Sequence, residues 1–144
     1  MQIQAVSVKI RSVENEKTLE NPAQSFIRHS VTQKQIDDIL NNELKDFKFP
    51  VKPVYNPRIK ANGRTVYRTL SSGQNIVTKI EIGKQDRPDK RHLTDTLLHE
   101  FYEADIVTKK NELYTKLDAA TDIERHKWIN RQITKHFEEL GWRK

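Results

Sequence analysis

With 144 residues, the chain is sized for one domain with a core of its own, and 1–144 is read as a single unit. It has no cysteine, which excludes disulfides and thiolate metal sites and leaves histidine and carboxylate as the strong ligands. Lys and Arg number 26 against 20 Asp and Glu, a net charge of +6 that favours anionic partners, nucleic acid first among them.

Met1 to Val13 alternates polar and apolar residues, with Val6, Val8 and Ile10 in phase, and predicts a strand. It lacks the continuous apolar run of a signal peptide, and no stretch approaches the roughly 18 apolar residues of a membrane span. The expectation is a soluble cytoplasmic protein without a membrane partner. Glu14 to Ser30 is polar and turn-rich and reads as a surface loop. Thr32 followed by Gln35 has capping-box spacing and opens a helix whose apolar stripe is Ile36, Ile39, Leu40, Leu44 and Phe47, stopped by Pro50. Val, Ile, Tyr and Thr then dominate, predicting strands near Val51–Tyr55, Thr65–Leu70 and Ile76–Ile82. Asn62-Gly63 and Ser72-Gly73 supply the turns, since glycine takes positive φ without penalty. Arg58, Lys60, Arg64 and Arg68 either line an edge and face that hold an extended peptide by strand addition or are solvated residues blunting that edge.

A charged loop, Lys84 to Lys90, leads into Leu93–Thr108, the central helix. Leu93, Thr96, Leu97, Glu100, Ala104 and Val107 fall near helical spacing and form one buried face. His99 and Glu103 are four apart, so their side chains project from the same side, one turn above the other. Glu100 is turned about 100° from His99, where a base reaches water activated by a metal. The pattern H-E-x-x-E differs by one residue from the H-E-x-x-H helix of zinc hydrolases, giving two ligands and a general base. The bland reading is a hydrogen-bonded histidine on an ordinary helix face.

Lys109 to Asp118 is polar, and Leu113, Tyr114 and Leu117 suggest a short helix or packed excursion. Thr121 or Asp122 caps a last helix that runs to about Leu140 before Gly141, with Ile123, Trp128, Ile129, Ile133, Phe137 and Leu140 on its buried side. His126, near its start, is the best-placed third ligand, with His29, His92 and His136 as competitors. His92 lies about two turns before His99, too distant to share one ion with it. Tyr55, Tyr67, Trp128 and Trp142 read mostly as core or rim packing, while Arg87, Lys90, Arg91, Lys109 and Lys110 extend a positive surface toward nucleic acid.

The order of these parts resembles the SprT-like zinc metallopeptidases, the family of Spartan-type DNA–protein crosslink proteases. The resemblance spans roughly Val54 to Trp142. It rests on Val54-Tyr55-Asn56-Pro57-Arg58 with Gly63-Arg64, on Ile80-Glu81-Ile82 before Leu97-Leu98-His99-Glu100, and on Arg125-His126-Lys127-Trp128 before Leu140-Gly141. It implies an α+β, zincin-like fold: a small antiparallel sheet packed on an active-site helix, with two further main helices. It further implies zinc held by His99, Glu103 and His126, Glu100 as catalytic acid/base, and a protein or peptide substrate cleaved through metal-activated water. Glu103 stands where the family has its second histidine, and Arg125 and Lys127 replace the glycines flanking the third ligand. No cysteine-rich zinc ribbon follows, and the first 50 residues have no counterpart. The alternatives are an inactive relative that binds a protein partner, and a basic nucleic-acid-binding module. Oligomeric state is not legible.

Overall fold

Residues 16–142 are described by the computed structural model, so the strand expected over Met1 to Val13 lies outside the described residues. Four strands and four helices follow in the order β1 (Glu16–Asn21), α1 (Gln33–Asn41), β2 (Pro53–Tyr55), β3 (Gly63–Thr69), β4 (Asn75–Ile82), α2 (Lys90–Val107), α3 (Glu112–Ala119) and α4 (Asp122–Glu139). The fold is α+β. The sheet order is β1-β3-β4-β2, and α2 lies between the sheet and α4, while α1 packs beside β2.

Two expectations about the sheet are corrected. It is mixed, because β2 runs parallel to β4 with Pro53 opposite Ile80 and Tyr55 opposite Ile82; the other pairings are antiparallel. The segment read as a loop from Glu14 to Ser30 contains β1, paired antiparallel to β3. Leu19 is the only apolar residue of EKTLEN, so hydrophobic alternation gives no signal there. The pairing instead sets Glu16 opposite Arg68 and Glu20 opposite Arg64, opposite charges that favour this register. β3 is thereby an interior strand, and its basic residues do not lie along a free edge. Gln33 covers the outer edge of β2 like a short strand: its Nε2 donates to Pro53 O at 3.1 Å and its Oε1 accepts from Tyr55 N at 2.8 Å.

The capping box opens α1 as its sequence predicts: Gln35 N donates to Thr32 Oγ1 at 3.1 Å, and Thr32 N donates to Gln35 Oε1 at 2.9 Å. The helix stops at Asn41, well before Pro50, and Leu44 is buried from the turns beyond it. Gly73 takes φ +89° in the β3–β4 turn, whereas Gly63 begins β3 and serves a different purpose, described below. Thr121 caps α4, and Ile129, Ile133 and Phe137 are buried on it; Ile123, expected among them, is 68% exposed. The core joins Ile36 and Ile39 of α1, Val77, Ile80 and Ile82 of β4, Leu93, Leu97, Leu98 and Ile106 of α2, and these α4 residues. α2 is buried on more than the one predicted face, since Thr94, Leu98, His99, Asp105 and Ile106 are covered as well. Among the described residues no helix is long and apolar enough to cross a membrane.

The segment between β1 and α1 is pinned by Asp86. Its carboxylate accepts from Gln24 N and Ser25 N at 3.0 and 2.9 Å, from Asn62 Nδ2 at 2.7 Å and from Arg28 Nη1 at 2.5 Å. Burial alone would raise this carboxyl, but the bonds from Asn62, Gln24 and Ser25 and the Arg28 charge outweigh it and hold the group below its ordinary 3.8. A depressed folded value means stability that is complete above the unfolded value and lost as pH falls through the folded one. Asp86→Asn is therefore expected to lower stability by about 1–3 kcal/mol at pH 7. The difference from wild type should shrink below pH 3.8, which urea melts across that range will read.

Candidate metal centre

Helix α2 brings two of the three predicted ligands together by its own geometry. Asp89 caps its N-terminus, accepting from His92 N at 3.1 Å, and the uninterrupted helix then stacks His99 over Glu103. Helix α4, capped by Thr121, lies against α2 and delivers His126 from its first turns. His126 Nε2 lies 3.3 Å and His99 Nε2 3.6 Å from Glu103 Oε1, and the two imidazole rings are 5.1 Å apart. One ligand atom from each residue falls within 4.8 Å of the others; among the described residues no other trio of His, Asp or Glu converges in this way. His29 is bridged through its backbone to Gln85, and His136 packs edge-on against Phe47 at 5.0 Å. His92 lines the cleft over the site without joining the trio.

The donor set suits a divalent cation. Three ligands each about 2.0–2.2 Å from one tetrahedral ion stand about 3.3–3.6 Å apart, the spacing that Glu103 keeps from both imidazoles. His99 Nε2 and Glu103 Oε2 are buried without a hydrogen-bond partner. Buried polar atoms without partners are rare unless another group satisfies them. Burial would raise the Glu103 carboxyl, but the close approach of His126 and His99 and the charge of Arg125 hold it down at about 2. The Glu103 contact raises His126 against the opposing effect of burial.

Glu100 occupies a different setting. It is fully buried beneath β3, where Thr65 Oγ1 donates to its Oε1 at 2.9 Å. Burial first, and the Glu103 charge second, push its carboxyl well above the ordinary value, with the Thr65 bond opposing them. Its Oε2 has no partner and lies 2.9 Å from where a Cβ on Gly63 would stand. Gly63 thus lies in close approach to Glu100 and begins a strand, not a turn, correcting the reading of Asn62-Gly63. A cleft of about 340 Å³ opens over the site, lined by Asn62, Asp86, His92, Asp95, His99 and His126 among others, with Asn21 and Pro22 at the end of β1 forming one wall. Glu100 is not among its lining residues.

Sequence reasoning missed three parts of this surround: β1, the Asp86 clasp, and Arg125. Arg125 is 8% exposed, and its Nε lies 3.8 Å from Glu103 Oε2 while its Nη2 contacts Asp122. The one available signal was an arginine beside the ligand position in a chain that carries glutamate where the resembled family has histidine. Several of the basic residues outside the site are held by partners: Arg64 by Glu81 at 2.8 Å, Lys90 by Glu43 at 2.8 Å, Lys110 by Asp105 at 2.8 Å, and Lys109 by Asp118 at 3.7 Å. Arg91 sits over the Phe137 ring at 5.0 Å. Comparison with family models, with curated proteins and with solved structures returns no match for the chain.

Proposed function

We propose that the chain is a metal-dependent peptidase of SprT-like type and zincin-like architecture. In this reading His99, Glu103 and His126 hold a divalent cation, zinc by preference, and Glu100 moves the proton. The observation that carries it is the meeting of three ligand atoms from two separate helices within 4.8 Å. Bound there, the cation supplies a Lewis acid for the scissile carbonyl and makes water acidic near neutral pH.

The chain's own groups do the rest. Thr65 donates to Oε1 of Glu100, which leaves Oε2 as the oxygen without a partner and the one available to hold a proton. Burial raises the carboxyl, which suits it to deliver a proton to the leaving amine, and the positive charge of a cation held by Glu103 would favour the carboxylate form that takes one from water. The cleft, lined chiefly by amides, carboxylates and imidazoles, accommodates a polar stretch of polypeptide. The +6 charge supports a setting close to nucleic acid.

A second reading, a metal-holding fold that binds a protein partner without cleaving it, is favoured by one observation: Glu100 is 0% exposed and does not line the cleft. Metal analysis and proteolysis separate the two. The peptidase reading expects about one zinc per chain, loss of that zinc in His99→Ala, and chelator-sensitive cleavage of an unfolded protein such as casein. Stoichiometric zinc without cleavage turns the assignment to the second reading. Absence of zinc from freshly purified and zinc-supplemented protein alike sinks both.

A further inference from the structure

We propose that Arg125 is the fixed counter-charge of this centre, returning a ligand set of two imidazoles and one carboxylate to the net charge of three imidazoles. The inference rests on the metal reading above. It assigns Arg125 a positioning role, acting on a ligand and not on the cation.

Four observations carry it. Glu103 turns Oε1 toward the two imidazoles and Oε2 toward the guanidinium, whose Nε is 3.8 Å away. The side chains of Arg125 and Glu103 are only 9% and 3% exposed. Neither Arg125 Nε nor Glu103 Oε2 has a hydrogen-bond partner. Asp122, the other anion on Arg125, is 80% exposed, so water screens its charge while the Glu103 charge stays inside the protein. A buried guanidinium needs a partner, and the carboxylate facing it across the helix pair is the one in the ligand set.

The charge count gives the consequence. A carboxylate and a guanidinium sum to zero, as a neutral imidazole at position 103 would. A divalent cation in such a site keeps the electron-withdrawing power that an uncompensated anionic ligand would reduce. The same guanidinium repels the cation, and in the cation's absence it steadies Glu103. Arg125 therefore has two effects of opposite sign: it stabilises the metal-free protein, and it loosens the hold on the metal. A residue that only packs would change both in the same direction when replaced.

The test uses the full chain with zinc ion alone, its affinity read by competition with a chromophoric chelator, and melting of the metal-free protein. Arg125→Met is expected to melt lower without metal, yet to bind zinc about tenfold or more tightly, because one positive charge beside the site is gone. Arg125→Lys should keep both properties near wild type. Arg125→Met combined with Glu103→Gln should regain the melting temperature lost by Arg125→Met alone, since removing both buried charges leaves neither stranded. If Arg125→Met does not fold without metal, recovery of folding in the double variant reads the same coupling. Unchanged or weaker zinc binding by Arg125→Met overturns the inference, as does a double variant no more stable than the single one. Wild-type protein that binds no zinc removes the metal reading and the counter-charge together. Zinc on wild type with the wrong sign in Arg125→Met removes the counter-charge alone.

Discussion

Glu100→Gln is expected to cut peptide-bond cleavage by about two to four orders of magnitude while leaving bound zinc stoichiometric. The amide keeps the size of the side chain and an oxygen to accept from Thr65, so the ligands on the same helix stay in place. What it removes is the ability to take up and release a proton. The metal-free variant should also be more stable than wild type at neutral pH. The Glu100 carboxyl is raised well above 4.5 by burial. Its unfolded form therefore releases a proton at a pH where the folded form still holds it. With the folded value raised, the contribution to stability is complete below 4.5 and is lost as pH rises toward the folded value. The stability difference between Glu100→Gln and wild type should accordingly widen from pH 4.5 upward, in thermal melts of the apo proteins. Undiminished casein cleavage by Glu100→Gln would take the acid/base role away from this residue. A stability difference that is flat with pH would mean that its carboxyl titrates normally. Both effects in the expected direction would mark a catalytic group kept at a cost to stability, as active-site groups often are.

The parts of this molecule legible in its sequence are those written in short-range spacing. The i, i+4 pair His99 and Glu103, the Thr32–Gln35 capping box and the α4 cap at Thr121 depend on helix geometry alone, and each sits where its spacing places it. The parts that could not be read depend on partners far along the chain. β1 carries one apolar residue and is selected by charges on β3 some 50 residues away, a match visible only once the register is known. Gly63 looks like half of a turn, yet its missing side chain makes room for Glu100. The three-residue β2 is too short to declare whether it runs parallel or antiparallel, and its partner is the strand after next. In the sequence Arg125 shows only as a replacement for a glycine beside the third ligand; the packing of α4 on α2 is what gives it a buried carboxylate. Ile123 fails the other way: six residues before Ile129, it stands about 120° around the helix from it and off the buried face.

The helix that joins these features is expected to be the place where stability is most easily lost. Leu97→Ala should destabilise the chain by about 3–5 kcal/mol, because the side chain is fully buried in the main cluster and its removal leaves a cavity that a packed helix cannot close. For a domain of this size that is a fall of about 10–15 °C in Tm, a large share of a typical total of about 5–15 kcal/mol. Ile123→Ala, at a residue 68% exposed, should cost on the order of 0.5 kcal/mol or less and leave Tm nearly unchanged. Helical spacing sets Leu93, Leu97, Glu100 and Ala104 on one side of α2, and Glu100 meets β3 there. His99 and Glu103 lie on another side and meet α4. A cavity at Leu97 thus opens away from the ligands, and the folded variant should bind zinc within about threefold of wild type. Saturating zinc should then restore part of the loss, about 2.7 kcal/mol at a hundred times Kd. If Leu97→Ala costs under about 1 kcal/mol, α2 is not seated in the core as described. If it abolishes zinc binding in protein that is still folded, the ligand trio depends on the sheet face of the helix as well as on its contact with α4.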